Sequence, residues 1–425
     1  MQPFSNFRDV SYTGVLFVID QAIKAGYSTH HPDWVNLGQG APEISELANA
    51  PPRITHMHID LMAHEYAYVT GEDALRQQVA DLYNYLYRQG KASQYTYENV
   101  SISGGGRIGL ARIVASLGNI NLGHFLPDYT AYEELLSVFK AFVPIPILQD
   151  PAEGYQMTTA QIENEILGRG LKALLLSNPC NPTGQTIQGE KLKTLVQLCS
   201  HHECSLIIDE FYSHYLYTNE TTDGIPPTVS AAAYIDDVDT DPVIILNGLT
   251  KNWRYPGWRV SWTLAPKAII QTIGSVGSFL DGGANHPLQH EAIPLLKPEH
   301  MIQETRAIQT HFKQKRDYTL KRLTEMGIFV DSPPSGTFYV WANLSRLPAP
   351  LHHGLSFFEA CLKEKVIVVP GIFFDVNPEK RRKIARYDHY ARISFGPAFD
   401  AVKRGLDAIE QMIKEARKNN QEFNP

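Results

Sequence analysis

Apolar side chains recur every three or four positions over residues 72–89, where Leu75, Val79, Leu82 and Leu86 share one face and Gly90 follows. That spacing predicts a helix with one buried face, ended by the glycine. LARIVASL (110–117) and GEKLKTLVQLCSHHE (189–203) read the same way. Between and after them lie short apolar runs bounded by turn residues: VSIS (100–103), HFLPD (124–128), KALLLSN (172–178), SLIIDE (205–210) and DPVIILN (241–247). These predict strands. AFVPIPIL (141–148) is apolar but holds two prolines, so it is expected at a sheet edge or in a connection. Strands alternating with helices predict an α/β fold, with a mostly parallel sheet covered by helices on both faces.

The rhythm changes after residue 296. A long polar helical stretch (298–326) leads into GIFVDSPPSGTFYVWANL, VIVVPGIFF and ARISFG, and a charged helix is expected near 399–418. These predict a smaller α+β domain over 297–425. Residues 51–296 form the large domain, and residues 1–50, which lack the βα rhythm, are expected to pack with the small one. The stretch 219–242, with NETTDGIPP and DDVDTD, is polar and turn-rich and reads as a surface excursion.

A length of 425 residues suits two or three domains at roughly 150 residues each. Lys plus Arg number 38 against 45 Asp plus Glu, a formal charge of -7, which lacks the basic excess of a nucleic-acid binder. Apolar residues at 43% and charged residues at 20% permit a sizeable core. No apolar run approaches the roughly 18 residues of a membrane span, and MQPFSNFRDV lacks the pattern of a secretory signal. Cys180, Cys199, Cys204 and Cys361 form no C-x-x-C pair, which suits free thiols in a reducing cytoplasm. His56 and His58, and the run His201, His202, Glu203, Cys204, lack regular zinc-ligand spacing, so no metal is expected there.

Four segments carry candidate chemistry. SNPCNPTG (177–184) follows a strand, and its Asn-Pro pairs and final glycine make a rigid turn that could aim Asn181 into a cleft. In IIDEFY (207–212), Asp209 ends an apolar strand, where a carboxylate meets ligand more readily than it packs. In LTKNWRYPGWRVSW (249–262), Lys251 has aromatic neighbours that can desolvate it and lower its pKa toward the range of a nucleophile. Arg259, eight residues on, suits a phosphate or carboxylate. In YARISFG (390–396), Arg392 interrupts a strand-like run and needs an anionic partner. Each segment alone also reads as a plain turn, a helix cap, a solvated loop or a salt bridge.

In this order and spacing, N-P-x-N-P-T-G, D-E-x-Y, T-K-x-x-x-x-P-G-x-R and R-x-S-F resemble the class I/II aminotransferases, the aspartate-aminotransferase-like family of pyridoxal-phosphate enzymes (fold type I). The resemblance spans VNLGQGAPE (35–43) to RISFG (392–396). It implies that Lys251 bonds the cofactor aldehyde and carries the substrate proton. Asp209 would pair with the pyridinium nitrogen, Asn181 and Tyr212 would donate to the phenolic oxygen, and Arg259 would bind the phosphate. Tyr129 would stack on the ring, and the backbone of Gly105, Gly106 and Arg107 would approach the phosphate at a helix N-terminus. Tyr66 would reach the phosphate of a neighbouring subunit, which implies a homodimer. Arg392 and Gly40 would hold the substrate carboxylate. The implied reaction transfers an amino group between an L-amino acid and a 2-keto acid. A neutral or aromatic donor is expected; for a dicarboxylate, Arg107 or Arg254 could supply a second cation.

Gly248 stands where many relatives carry a phosphate-binding serine, with Thr250 nearby. Carbon–sulfur lyases and a cyclopropane-forming synthase share the same cofactor residues, and a catalytically silent ligand sensor is a third use of the fold. Gly104, Gly106 and Gly109, with Asp128 about 20 residues on, also satisfy a dinucleotide-binding fingerprint, the case for an NAD-dependent oxidoreductase.

Overall fold

The computed structural model describes residues 14–218 and 224–422; the first residues, read above for a secretory signal, and positions 219–223 of the polar excursion lie outside it. Its strands in chain order are β1 Val35–Asn36, β2 Val100–Ser103, β3 Asn121–Leu126, β4 Val143–Leu148, β5 Leu171–Ser177, β6 Ser205–Asp209, β7 Val243–Gly248, β8 Ser261–Leu264, β9 Tyr339–Asn343, β10 Val366–Ile367, β11 Val369–Pro370 and β12 Tyr390–Ser394.

Seven of them form the large sheet, in the order β2-β8-β7-β6-β5-β3-β4. β3 to β7 run parallel. Leu206, Ile207 and Ile208 of β6 are all fully buried, as expected of a strand with both faces covered. β4 lies at the edge. Its prolines, at alternate positions 144 and 146, withdraw N–H groups from one side only, which suits an outer strand. β8 is the exception to the parallel run, antiparallel to both β7 and β2. Helices Asp73–Tyr87, Gly106–Ala115 and Glu190–His201 formed where the apolar spacing placed them. Helix Lys267–Leu280 follows β8.

Helix Pro298–Met326 leads to the small domain. There β11, β12 and β9 form an antiparallel sheet, and helix Phe399–Glu422 ends the described chain. β1 pairs in parallel with β10, Val35 against Val366, so the chain's early residues join its late ones.

The expected surface excursion is corrected over its described part. Ser230, Ala231, Ala232, Ile235 and Val238 are buried. The Arg88 guanidinium donates to the carbonyls of Ala232 (2.9 Å) and Ile235 (2.8 Å), and the Glu210 carboxylate accepts from Ala231 N at 2.8 Å. Polar composition concealed a segment whose backbone, rather than its side chains, meets the interior's polar groups.

Candidate active site

Three neighbouring parallel strands deliver the central residues. Ser177 of β5 lies opposite Asp209 of β6, and Asp209 opposite Leu246 of β7. Beyond those ends come the Asn178–Gly184 turn, the Asp209–Tyr212 corner and the short helix Leu249–Asn252 that bears Lys251. Ligands of open α/β sheets bind at such carboxyl ends.

The Lys251 ammonium reaches the carbonyl of Gly40. Burial, reinforced by the Arg392 guanidinium, pushes it down to about 7; Arg259 and Arg107 act in the same sense and Asp209 opposes them. An amine so placed is substantially neutral near pH 7 and can act as a nucleophile or base. Behind it Asp209 is buried, accepting from Phe211 N (3.2 Å) and the Tyr132 hydroxyl (3.1 Å). Burial pushes its carboxyl up to about 6 despite both bonds. Such a carboxylate calls for a cation at its open side.

An anion cradle lies at the start of helix Gly106–Ala115. Gly105 has φ +97, and a methyl group there would meet the Arg259 guanidinium at 2.0 Å; one at Gly106 would meet the Phe211 ring at 2.5 Å. Arg259 thus lies directly over bare backbone at a helix N-terminus, a cationic pocket closed to larger residues. Arg107 donates to the Tyr129 hydroxyl at 3.2 Å. Gly248 has no room for a side chain: its Cβ would fall 2.7 Å from Ser261 Cα and from the Val260 carbonyl, because β8 runs back alongside. Thr250 Oγ1, next to the lysine, is buried without a hydrogen-bond partner among the described residues.

Arg392 on β12 crosses from the small domain. It donates to Asn181 Oδ1 (2.9 Å) and the Gly38 carbonyl (2.9 Å), and stacks 4.1 Å from the Tyr339 ring centroid, with Phe374 at 5.1 Å. Its Nε is buried without a hydrogen-bond partner among the described residues. The Tyr212 hydroxyl meets that of Tyr339 at 2.8 Å, and burial raises Tyr212 well above the usual phenol range. Among the expected residues, Lys251, Asp209, Asn181, Tyr212, Arg392, Gly40, Gly105, Gly106, Arg107, Tyr129 and Arg259 fall around one cleft. Tyr66 does not. It stands 95% exposed, directed away from this chain's own interior.

Sequence reasoning missed Tyr132, which anchors Asp209, and Tyr339 and Phe374, which sandwich Arg392. Tyr132 sits three positions after Tyr129 in the helix Ala131–Val138, where nothing in its spacing marks a partner for Asp209; Tyr339 and Phe374 come from a domain whose docking no local pattern reports. Arg254 is corrected as a substrate cation. It is fully buried and bonds Glu304 at 2.7 Å and the carbonyls of Glu43 and Ser45. Asp128 cannot serve a dinucleotide ribose. Its carboxylate is enclosed and accepts from Ser177 Oγ, Ser177 N (3.2 Å) and Tyr129 N (2.7 Å). Among the described residues, the groups spaced to hold a metal are Glu72, His286, His290 and His353, Asp388, His389; they share no member with the histidine runs noted in the sequence.

The architecture is that of the aminotransferases. Aspartate aminotransferase from Thermus thermophilus, solved with maleate, superposes at TM-score 0.77 with 22% identity, covering 96% of this chain and all of that one. The aromatic aminotransferase of Pyrococcus horikoshii OT3 gives 0.74 at 20% identity, covering 94% and 99%. The model of the family "Aminotransferase class I and II" matches residues 32–409, and the chain belongs to that family. It is an enzyme that moves an amino group between an amino acid and a keto acid. Among its relatives are a probable aspartate/prephenate aminotransferase of Aquifex aeolicus, 23% identical over 90% of this chain and 92% of that protein, and a probable N-acetyl-LL-diaminopimelate aminotransferase of Bacillus subtilis, 28% identical over 70% and 69%.

Proposed function

We propose that this aminotransferase works with pyridoxal phosphate bound at Lys251, as a homodimer, on a neutral or aromatic amino donor. The observation that carries the cofactor assignment is a set of complementary open valences around one cleft. They are a near-neutral lysine, a buried carboxylate in want of a cation, a glycine cradle under Arg259, and a buried hydroxyl on Thr250 without a partner. A phosphorylated pyridine aldehyde matches each of them. When bound, this cofactor supplies the electron sink that stabilises the pair released at the substrate's α-carbon.

The chain's own residues do the rest. Asp209 holds a proton at the pyridine nitrogen by pairing with its positive charge. Asn181, through its amide nitrogen, and Tyr212 would donate to the phenolic oxygen. The backbone of Gly105, Gly106 and Arg107, with the side chains of Arg259 and Thr250, would hold the phosphate, since β8 leaves no room for a serine at 248. Tyr129 covers the ring. Arg392, oriented by Asn181 and Gly38, grips the α-carboxylate, whose negative charge also satisfies its open Nε, and the backbone of Gly40 lies beside it. Fixing that carboxylate would orient the substrate's α-carbon toward Lys251. Lys251, as the near-neutral amine, would accept the α-proton and give it back.

Aromatic rings at Tyr129, Tyr339 and Phe374 support a neutral or aromatic side chain. With Arg254 committed to Glu304, Arg107 is the cation left for an acidic one. The dimer reading is supported by the exposure of Leu61, Met62, Tyr66 and Phe279, large side chains 67–95% exposed of the kind that interfaces cover. The division into segment 1–50, large domain 51–296 and small domain 297–425 is supported by β1–β10 pairing and by the helix beginning at Pro298. No helix among the described residues is long and apolar enough to cross a membrane, and four free cysteines suit the cytoplasm.

The test is a visible spectrum with borohydride trapping and peptide mapping, followed by single amino acids. A yellow band, bleached by borohydride with the label on Lys251 and lost in Lys251→Ala, is expected. Conversion by neutral or aromatic donors should survive Arg107→Ala. Label elsewhere would overturn the site, and an acidic preference lost in Arg107→Ala would overturn the donor class.

A further inference from the structure

We infer that Glu72, His286 and His290 form a binding site for a zinc-type divalent cation, separate from the transamination cleft. His286 and His290 lie four residues apart on helix His286–Ala292, so their rings project from one face, with centroids 4.9 Å apart. Glu72, the residue before helix Asp73–Tyr87, reaches them from another part of the chain. One ligand atom from each of the three lies within 4.8 Å of the others.

The finer geometry is that of a coordination shell. His286 Nδ1 faces the Glu65 carbonyl at 2.8 Å. That bond places a ring proton on Nδ1, the usual outer support of a metal-bound imidazole, and turns Nε2 toward Glu72. His286 Nε2 and Glu72 Oε1 are 3.2 Å apart. Two ligands on a tetrahedral zinc, each at about 2.0–2.1 Å, are separated by about 3.3 Å. His290 is exposed, which leaves the remaining position open to water.

The two segments are also held in register. Gln289, fully buried between the histidines, accepts from Glu72 N at 2.9 Å and donates to the Ala284 carbonyl at 3.2 Å. The backbone of Glu72 and the helix that carries the imidazoles are therefore held together in advance of any ion. The other cluster, His353, Asp388 and His389, is less open, since His353 Nδ1 and Asp388 Oδ2 already engage each other at 2.7 Å. Two imidazoles and a carboxylate suit zinc or nickel rather than calcium or magnesium, which take oxygen shells. Occupation staples the Glu65–Glu72 turn, and with it Tyr66, to helix His286–Ala292.

Zinc titration followed by calorimetry and a chromogenic chelator tests this, on His353→Ala/His389→Ala protein so that the second cluster is disabled. One zinc per chain is expected, with a rise in Tm. His290→Ala, Glu72→Gln or His286→Ala, each added to that background, should weaken binding by about tenfold or more and abolish the Tm rise. His290 is exposed, so its variant should match the parent's Tm in chelator, which separates lost binding from lost folding. No zinc bound by the background protein, or affinity unchanged in the combined His286→Ala/His290→Ala variant, overturns the site.

Discussion

Asp209 shows most clearly what the interior asks of a single residue. Its carboxyl stands at about 6 rather than 3.8 because burial disfavours the anion, and the difference corresponds to about 3 kcal/mol of destabilisation in the cofactor-free protein. A folded-state value above the unfolded one means the penalty is full above pH 6 and disappears below pH 4. Asp209→Asn, stripped of cofactor, should therefore melt a few degrees higher than the parent at pH 7.5 and equally near pH 4, while transamination falls by orders of magnitude; scanning fluorimetry across pH alongside rate assays checks both halves. The residue types and spacings that carry this chemistry were legible in the sequence because covalent and ionic roles admit few side chains. Gly248 was legible only as a departure. Its cause, the backbone of β8 within 2.7 Å, is a tertiary contact that no run of letters records.

At the scale of the element, the loop Gly38–Ser45 is the piece that brings the site together. It offers the Gly38 carbonyl to Arg392 and the Gly40 carbonyl to Lys251. Its far end is fixed by Glu43, which bonds Lys315 at 2.6 Å and His311, and by Arg254 on the carbonyls of Glu43 and Ser45. Burial would raise the Glu43 carboxyl, but His311 and Lys315 outweigh it and hold it at about 2. Lys315 is fully buried. Glu43→Gln strips that buried amine of its partner and should cost about 3 kcal/mol in urea unfolding at pH 7, with the lysine losing its proton. The loss should shrink as pH falls from 4.5 toward 2, where the parent's own carboxylate is protonated. KM for the amino acid should rise and kcat should fall with it, since the loop contacts both Arg392 and Lys251. The main helices and parallel strands were legible from apolar periodicity. The antiparallel β8 was not, because its residues sit inside the lysine motif and four strand residues set no direction.

For the whole molecule, the site-bearing cleft and the exposed Tyr66 patch lie on one chain without meeting. If Tyr66 serves a partner's cofactor, two defective chains can repair each other. A dimer of Lys251→Ala with Tyr66→Ala places both lesions in one site and leaves the other intact. Mixing the two variants under exchange should restore up to about a quarter of parental activity from two nearly inactive preparations, since random pairing makes half the dimers mixed. No recovery, with dimers confirmed by light scattering, would show that each subunit is self-sufficient. The proposed assembly has only a faint mark in the sequence, a tyrosine with no local reason to be there. The joining of β1 to β10 has a consequence of its own for how the enzyme is made. Residues 73–296 are contiguous and can pack as they leave the ribosome, whereas Val35 and Asn36 must wait some 330 positions for Val366 and Ile367. Until then the strand leading to Gly38 lacks its partner, and Arg392, which the Gly38 carbonyl receives, has not been synthesised. A nascent chain thus acquires its large sheet well before it can close its cleft around a substrate, and translation itself keeps the half-made enzyme silent.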